Sequence, residues 1–244
     1  MLISKEMEAL FLVLFLIVVC PLCASGEVLF EDDFEAENIG EQPSLWDNIV
    51  GGFSLEVVED PNDPDNKVVE EHGEGNGLGV PVPAGWEDQD FWVDYIWEFD
   101  WMWDQDTYQG TAHRYGDAMN YYHTSRRQGG ANFIIYMWNG NWNQLQDSPW
   151  QTGINVWYRM QISAIGDEHT VKGKERDNDT PFEELDPLVS IQDDTYAEGP
   201  IGLFGTAGGS LYWDNIIVYE PGTNIHAVRP AEKLAATWGE LKAK

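Results

Sequence analysis

Past residue 23 the sequence has no cysteine. Its two thiols, Cys20 and Cys23, both lie in the amino-terminal segment, so the remainder can form no disulfide and must draw stability from core size or a bound metal. Positive charge is scarce too. Thirteen Lys and Arg face 43 Asp and Glu, a formal charge of −30, which excludes nucleic acid and anionic membrane as partners because both are polyanions. No apolar run after residue 19 is long enough to span a bilayer, and the earlier one, Ala9 to Val19, is itself short for a span. Helical periodicity is missing between residue 28 and the 220s, and no segment repeats.

What the amino terminus has is Lys5, that apolar stretch, and then Cys23-Ala24-Ser25-Gly26. This is the pattern of a secretory signal peptide cleaved after Ser25 or Gly26. Neither cysteine is preceded by the small residues of a lipoprotein site. The expected organisation is a leader over 1–26, a domain over 27–221 and a tail over 222–244, giving a mature chain that is secreted, extracellular or periplasmic, without a membrane span. The tail is net basic, with Leu234, Trp238 and Leu241 at helical spacing; it reads as a short amphipathic helix or a poorly ordered end.

Between leader and tail the chain is a series of short apolar segments divided by Gly, Pro, Asn and Asp. Val28 to Phe34 opens as a strand. Ser54–Val58 and Lys67–Val69 are strands around the loop Asp60–Asn66, which is rich in oxygen but lacks the glycine and terminal Glu of a helix-loop-helix calcium site. Phe91 to Trp103 alternates, placing Val93, Tyr95, Trp97, Phe99, Trp101 and Trp103 on one face and Trp92, Asp94, Glu98, Asp100 and Met102 on the other. Asp104 to Gly130 reads as a long polar loop. Phe133–Trp138 and Asn141–Leu145 form a hairpin around Asn139-Gly140, the favoured type I′ pair. Ile154 to Ala164 alternates again, with Trp157, Arg159 and Gln161 outward. His169–Lys172 reads as an edge strand, Lys174–Glu198 as loop, and Gly202–Phe204 and Ser210–Tyr219 as two closing strands. Strands without intervening helices predict an all-β fold, an antiparallel two-sheet sandwich.

Phe30-Glu31-Asp32-Asp33-Phe34, the Val58–Val68 segment, and Gly202-Leu203 with Trp213-Asp214-Asn215-Ile216-Ile217-Val218 resemble concanavalin A-like lectin/glucanase domains, the laminin-G-like jelly roll. The resemblance covers about Val28 to Glu220. It implies that the first and last strands are neighbours and that a structural calcium is held near them. Asp214 is then the candidate ligand, with Asp32 or Asp33 as further acids. It also implies a Glu-x-Asp-x-Glu pair if the chain is a glucanase. Here Glu98 and Asp100 are present, but Met102 and Trp103 occupy both positions open to the second Glu, and two placed carboxylates are needed.

A lyase needs Tyr or His to take a proton and Arg to neutralise a uronate. His113, Arg114, Tyr115, Tyr121, Tyr122, His123, Arg126 and Arg127 form the one basic cluster of the domain, yet no alginate-lyase strand motif accompanies them. The remaining readings are binding functions. Aromatic faces stack on sugar rings and planar polar groups take hydroxyls. Trp138 and Trp142, with Tyr136, Asn139, Asn141, Asn143, Gln144 and Trp150 near them, offer both, as do Trp92, Trp157, Arg159 and Gln161. If all faced one sheet they would line one groove for a polysaccharide. A protein–protein adhesion module of laminin-G type would present a flat apolar patch instead.

Overall fold

The run Tyr-Ile-Trp-Glu-Phe-Asp-Trp-Met-Trp leaves its backbone little choice. Its aromatic side chains leave water together only if the chain is extended and that face is covered. In the computed structural model of the chain, which describes residues 26–48, 53–73, 78–79, 81–83, 92–106, 108–127, 133–206 and 209–225, the run is one of a series of strands. In chain order these are β1 (Val28–Asp32), β2 (Trp46–Asn48), β3 (Phe53–Asp60), β4 (Asp63–Gly73), β5 (Leu78–Gly79), β6 (Pro81–Pro83), β7 (Tyr95–Trp103), β8 (Gln109–Asp117), β9 (Asn120–Arg126), β10 (Phe133–Trp138), β11 (Trp142–Ser148), β12 (Tyr158–Ile165), β13 (Glu168–Glu175), β14 (Val189–Gln192), β15 (Gly202–Thr206) and β16 (Leu211–Tyr219).

The larger sheet runs β14-β13-β12-β7-β16-β4-β3, with β1 also paired to β16, and the smaller runs β11-β10-β9-β8-β15-β5. A separate short pair joins β2 to β6. Every described pairing in the two main sheets is antiparallel. Between the sheets Trp97, Phe99, Trp101 and Trp103 of β7 meet Trp213 of β16, Met160 and Ile162 of β12, Phe133 and Ile135 of β10 and Leu203 of β15, all buried. Trp103 stacks on Tyr158 at 5.4 Å, and Trp101 meets both Trp103 and Phe133 edge-on. Aromatic pairs in these orientations add to the burial of large apolar faces, which suits a domain without disulfides. Glu27–Pro221 form one unit by internal contacts. The expected leader and tail helix lie outside the described residues.

The fold is all-β, as its residues imply, and β1 lies beside β16. Several segments differ from the sequence reading. Residues 109–126 are not loop but the paired strands β8 and β9, closed by a tight turn in which Asp117 Oδ1 accepts from the Met119 amide and the Asn120 side chain. Thr, Tyr and His suit pleated strands well, and His113 and Tyr122 find partners across the sandwich in His169 and Asp193. The loop assigned to 174–198 contains the end of β13, a 3-10 turn at Phe182–Glu184 and β14, so β13 is an interior strand. The turn of the β3–β4 hairpin shrinks to Pro61-Asn62. Alternation before β7 also fails. Trp92 is buried against Phe30 and Tyr95, while Val93 is exposed, because an irregular stretch resets the phase ahead of Tyr95. The 139–141 connection has three residues, not two, since Trp138 pairs with Trp142; Gly140 takes its left-handed position at φ 84°.

Candidate functional site

On the outer face of the smaller sheet, side chains of β9, β10 and β11, and of β15 beyond β8, meet in a cleft of about 520 Å³ lined by Tyr108, His123, Ser125, Arg127, Tyr136, Trp142, Gln144 and Phe204. Alternation places them there. Ile135 and Leu203 point into the core, so their neighbours Tyr136 and Phe204 point out. Trp142 is the exposed centre, 41% accessible. Its ring lies 4.4 Å from that of Trp138, 5.1 Å from His123, 5.5 Å from Tyr136 and 6.0 Å from Phe204. The indole is thus braced by four rings while about two fifths of its surface stays accessible.

His123 floors the cleft. Its ring lies on Gly110, where a Cβ would strike the ring and the Thr124 carbonyl. Burial pushes its pKa down to about 3, against a hydrogen bond to the Thr111 backbone, so the ring is neutral at ordinary pH. Ser125 Oγ donates to the Gln109 carbonyl at 3.0 Å. Tyr136 is half-buried; burial raises its hydroxyl pKa, and the hydrogen-bonded Arg127 guanidinium pulls it back.

The residues singled out from sequence do not meet in one groove. Trp138 and Trp142 belong to this cleft face. Glu98, Asp100, Arg159 and Gln161 lie on the outer face of the larger sheet, on the opposite side of the sandwich, where they satisfy one another. Arg159 forks onto Asp100 at 2.7 and 2.9 Å, and Glu98 accepts from Gln161 at 2.9 Å and from the Tyr219 hydroxyl at 2.7 Å. Trp157 is buried, donating to Asp60 at 3.1 Å beneath Arg176, and Trp92 is core. Of the basic cluster, His113 and Tyr122 point between the sheets. His113 Nε2 meets His169 Nδ1 at 3.1 Å, and the Tyr122 hydroxyl donates to Asp193 at 2.5 Å. Arg126 is buried over the Trp103 ring and bonded to Asp106 at 2.6 Å. Only His123 of that cluster's acid–base candidates reaches the cleft. Tyr108, Ser125 and Phe204 are lining residues that sequence reasoning passed over. For Phe204 the signal was available in the alternation of Leu203 and Phe204.

Asp32, Asp33 and Asp214 do not fit a shared calcium. Asp32 accepts from the Phe34 amide at 3.0 Å and from Trp46 Nε1 at 2.8 Å; Asp33 accepts from the Glu35 amide. Asp214 is engaged by Asn66 and Asn215. Among the described residues no group of three or more acidic, His or Cys side chains is placed to hold a metal. The carbonyls after the first strand have a cation of their own, since Lys67 Nζ donates to Glu35 O and Glu37 O, both at 2.8 Å. Lys67→Met is expected to lower the melting temperature by about 2–4 °C, the loss of roughly 1 kcal/mol at a partly exposed site. Calorimetry with and without calcium checks this; an unchanged variant beside a calcium-stabilised wild type contradicts the role given to Lys67.

No protein-family model matches the chain, and no curated protein matches its sequence. Among the described residues no helix is long and apolar enough to cross a membrane. Solved structures are similar at low identity. A Bacillus subtilis protein of unknown function with a galectin-like fold is 12% identical, covering 80% of this chain and 97% of that one at a TM-score of 0.58. The carbohydrate-binding module CBM66 of Bacillus subtilis is 14% identical, covering 68% and 94% at 0.51. The Ca2+-bound form of the VIP36 exoplasmic/lumenal domain is 11% identical, covering 80% and 92% at 0.51. At such identities the likeness is one of fold, and that fold is the two-sheet jelly-roll sandwich of concanavalin A-like type.

Proposed function

We propose that the cleft on the smaller sheet binds a carbohydrate, with a sugar ring stacked on Trp142. The observation that carries this is the exposed indole of Trp142 in a cleft whose rim supplies planar polar groups, Arg127 and Gln144, beside the Tyr108 and Tyr136 hydroxyls. Sugar rings present C–H faces to aromatic surfaces and hydroxyls to such polar groups at their edges. One neighbour of the fold is by name a carbohydrate-binding module, which agrees with the reading. The amino-terminal pattern of Lys5, the apolar stretch and Cys23-Ala24-Ser25-Gly26 adds that the domain works outside the cytoplasm, where polysaccharides are met. None of the eight described lining residues is a carboxylate, so binding is read as independent of calcium at the cleft.

Trp142→Ala is expected to weaken binding at least tenfold, as loss of a central aromatic anchor does, while the side chain's exposure keeps the thermal midpoint near that of the wild type. A glycan array followed by titration calorimetry on each hit measures both. A hit that Trp142→Ala retains at full affinity contradicts this placement of the site, and an array without hits contradicts the sugar reading.

A further inference from the structure

Resting on that reading of the cleft, we infer that the sugar it takes carries a single carboxylate: a uronic acid at a chain end or branch, not a polyuronate. Every other arginine among the described residues is paired with an acid. Arg114 pairs with Asp94, Arg126 with Asp106, Arg159 with Asp100 and Arg176 with Asp60. Arg127 is exposed at the cleft and makes no ion pair among the described residues; its partner is the hydroxyl of Tyr136. In a chain with 43 acids and 13 bases, carboxylates are the common surface group. An arginine left without one, beside an open indole, is a place kept for a carboxylate from outside.

The neighbouring side chains agree in sign. None of the described lining residues is acidic, and His123 is neutral, so Arg127 is the single formal charge among them. Asp147 lies close enough to act on Tyr136 but does not line the cleft. Donors also outnumber acceptors. The guanidinium has five N–H groups and no lone pair, and the Gln144 amide adds two donors to one acceptor. A neutral sugar offers hydroxyls that must both give and receive. A carboxylate only receives, and it matches the planar fork in two parallel bonds. The limit to one charge comes from the whole molecule, because a formal charge of −30 repels a polyanion over its length, whereas a lone carboxylate meets chiefly the local cation.

The test titrates the full chain and Arg127→Gln with matched oligosaccharide pairs of the xylo-, gluco- and galacto-series. Each pair comprises a neutral member and the same chain ending in a uronic acid, with a sulfated counterpart and oligogalacturonate alongside. The expected result is a uronate-bearing member bound roughly tenfold or more tighter than its neutral partner. Arg127→Gln should erase that preference by weakening the uronate-bearing member roughly tenfold more than its neutral partner, a split that simple loss of folding would not produce. Equal binding within every pair, or an Arg127→Gln loss of the same size for both members, overturns the inference and leaves the sugar reading standing. Preference for the sulfated counterpart overturns the carboxylate assignment, and tightest binding of oligogalacturonate overturns the limit to one charge. Binding by no member of the panel overturns the sugar reading itself, and this inference with it.

Discussion

Arg159→Met should lower the unfolding free energy by about 2–3 kcal/mol and the melting temperature by roughly 4–12 °C. Asp100 has no exposed surface, and its carboxylate is held by the Arg159 fork and by Asn215 Nδ2 at 3.1 Å. Across the β7–β16 register it faces Asp214, also buried, and Asp60 lies near in the same polar group, held by Arg176, Trp157 and Asn66. Removing the guanidinium leaves a buried carboxylate beside another with one amide for support. Breaking one side of a fully buried pair costs about 3–5 kcal/mol; a smaller loss is expected here because the Arg159 side chain is 39% exposed and water screens part of its charge. Adding Asp100→Leu to Arg159→Met should recover part of the loss, since both charges then leave together. Urea denaturation of the three proteins measures this. A single variant within about half a kcal/mol of wild type would mean that water already solvates Asp100.

Asp214→Asn carries the second large effect, and its size depends on pH. Burial raises the Asp214 carboxyl to about 7; hydrogen bonds from Asn66 and the Asn215 amide oppose this, and the charge of Asp100 adds to it. Between its ordinary value of 3.8 and about 7, the folded chain keeps a proton that the unfolded chain has released. Acidification through that window therefore stabilises the fold, and raising the pH through 7 removes the contribution. The buried histidines act in the opposite sense. Burial lowers the pKa of His113, His123 and His169, so below about 6.5 the unfolded chain takes up protons that the folded one refuses. Subtracting the two proteins' profiles isolates Asp214. Asparagine should match the wild type near pH 4 and gain on it by on the order of 2–3 kcal/mol between pH 5 and 8. A calcium ion bound by Asp214 would reverse that sign at pH 8, with wild type the more stable until chelator is added.

The parts of the fold legible in the sequence are those where one strand decides its own environment. Trp97, Phe99, Trp101 and Trp103 alternate with Glu98, Asp100 and Met102, and a single extended strand with one covered face accounts for them. Residues 109–126 were illegible for the opposite reason. His113 and Tyr122 look like loop residues until their partners are known, and those partners, His169 and Asp193, arrive some 50 to 70 positions later in the chain. The site suffered from the same gap. Alternation correctly turns both Trp142 and the Arg159–Gln161 side chains outward, each from its own sheet. It cannot say that the sheets differ, because that depends on β11 pairing with β10 and β12 with β7. Trp157 adds a further reason: it points outward and is still covered, by Arg176 packed on its ring. The arginine at the cleft was visible as part of a basic cluster, but only the ion pairs of the other arginines single it out.

The position of β16 sets an order on how the protein can be made. This strand lies inside the larger sheet, with β7 along one edge and both β4 and β1 along the other, yet it is the last of the described strands to leave the ribosome. Until Leu211–Tyr219 arrive, β1 has no described partner in the sheet, and the facing edges of β7 and β4 stand open as templates for a neighbouring chain. Closure across more than 100 residues of intervening chain is slow. Chains cut short before Leu211 should accordingly aggregate instead of folding in part.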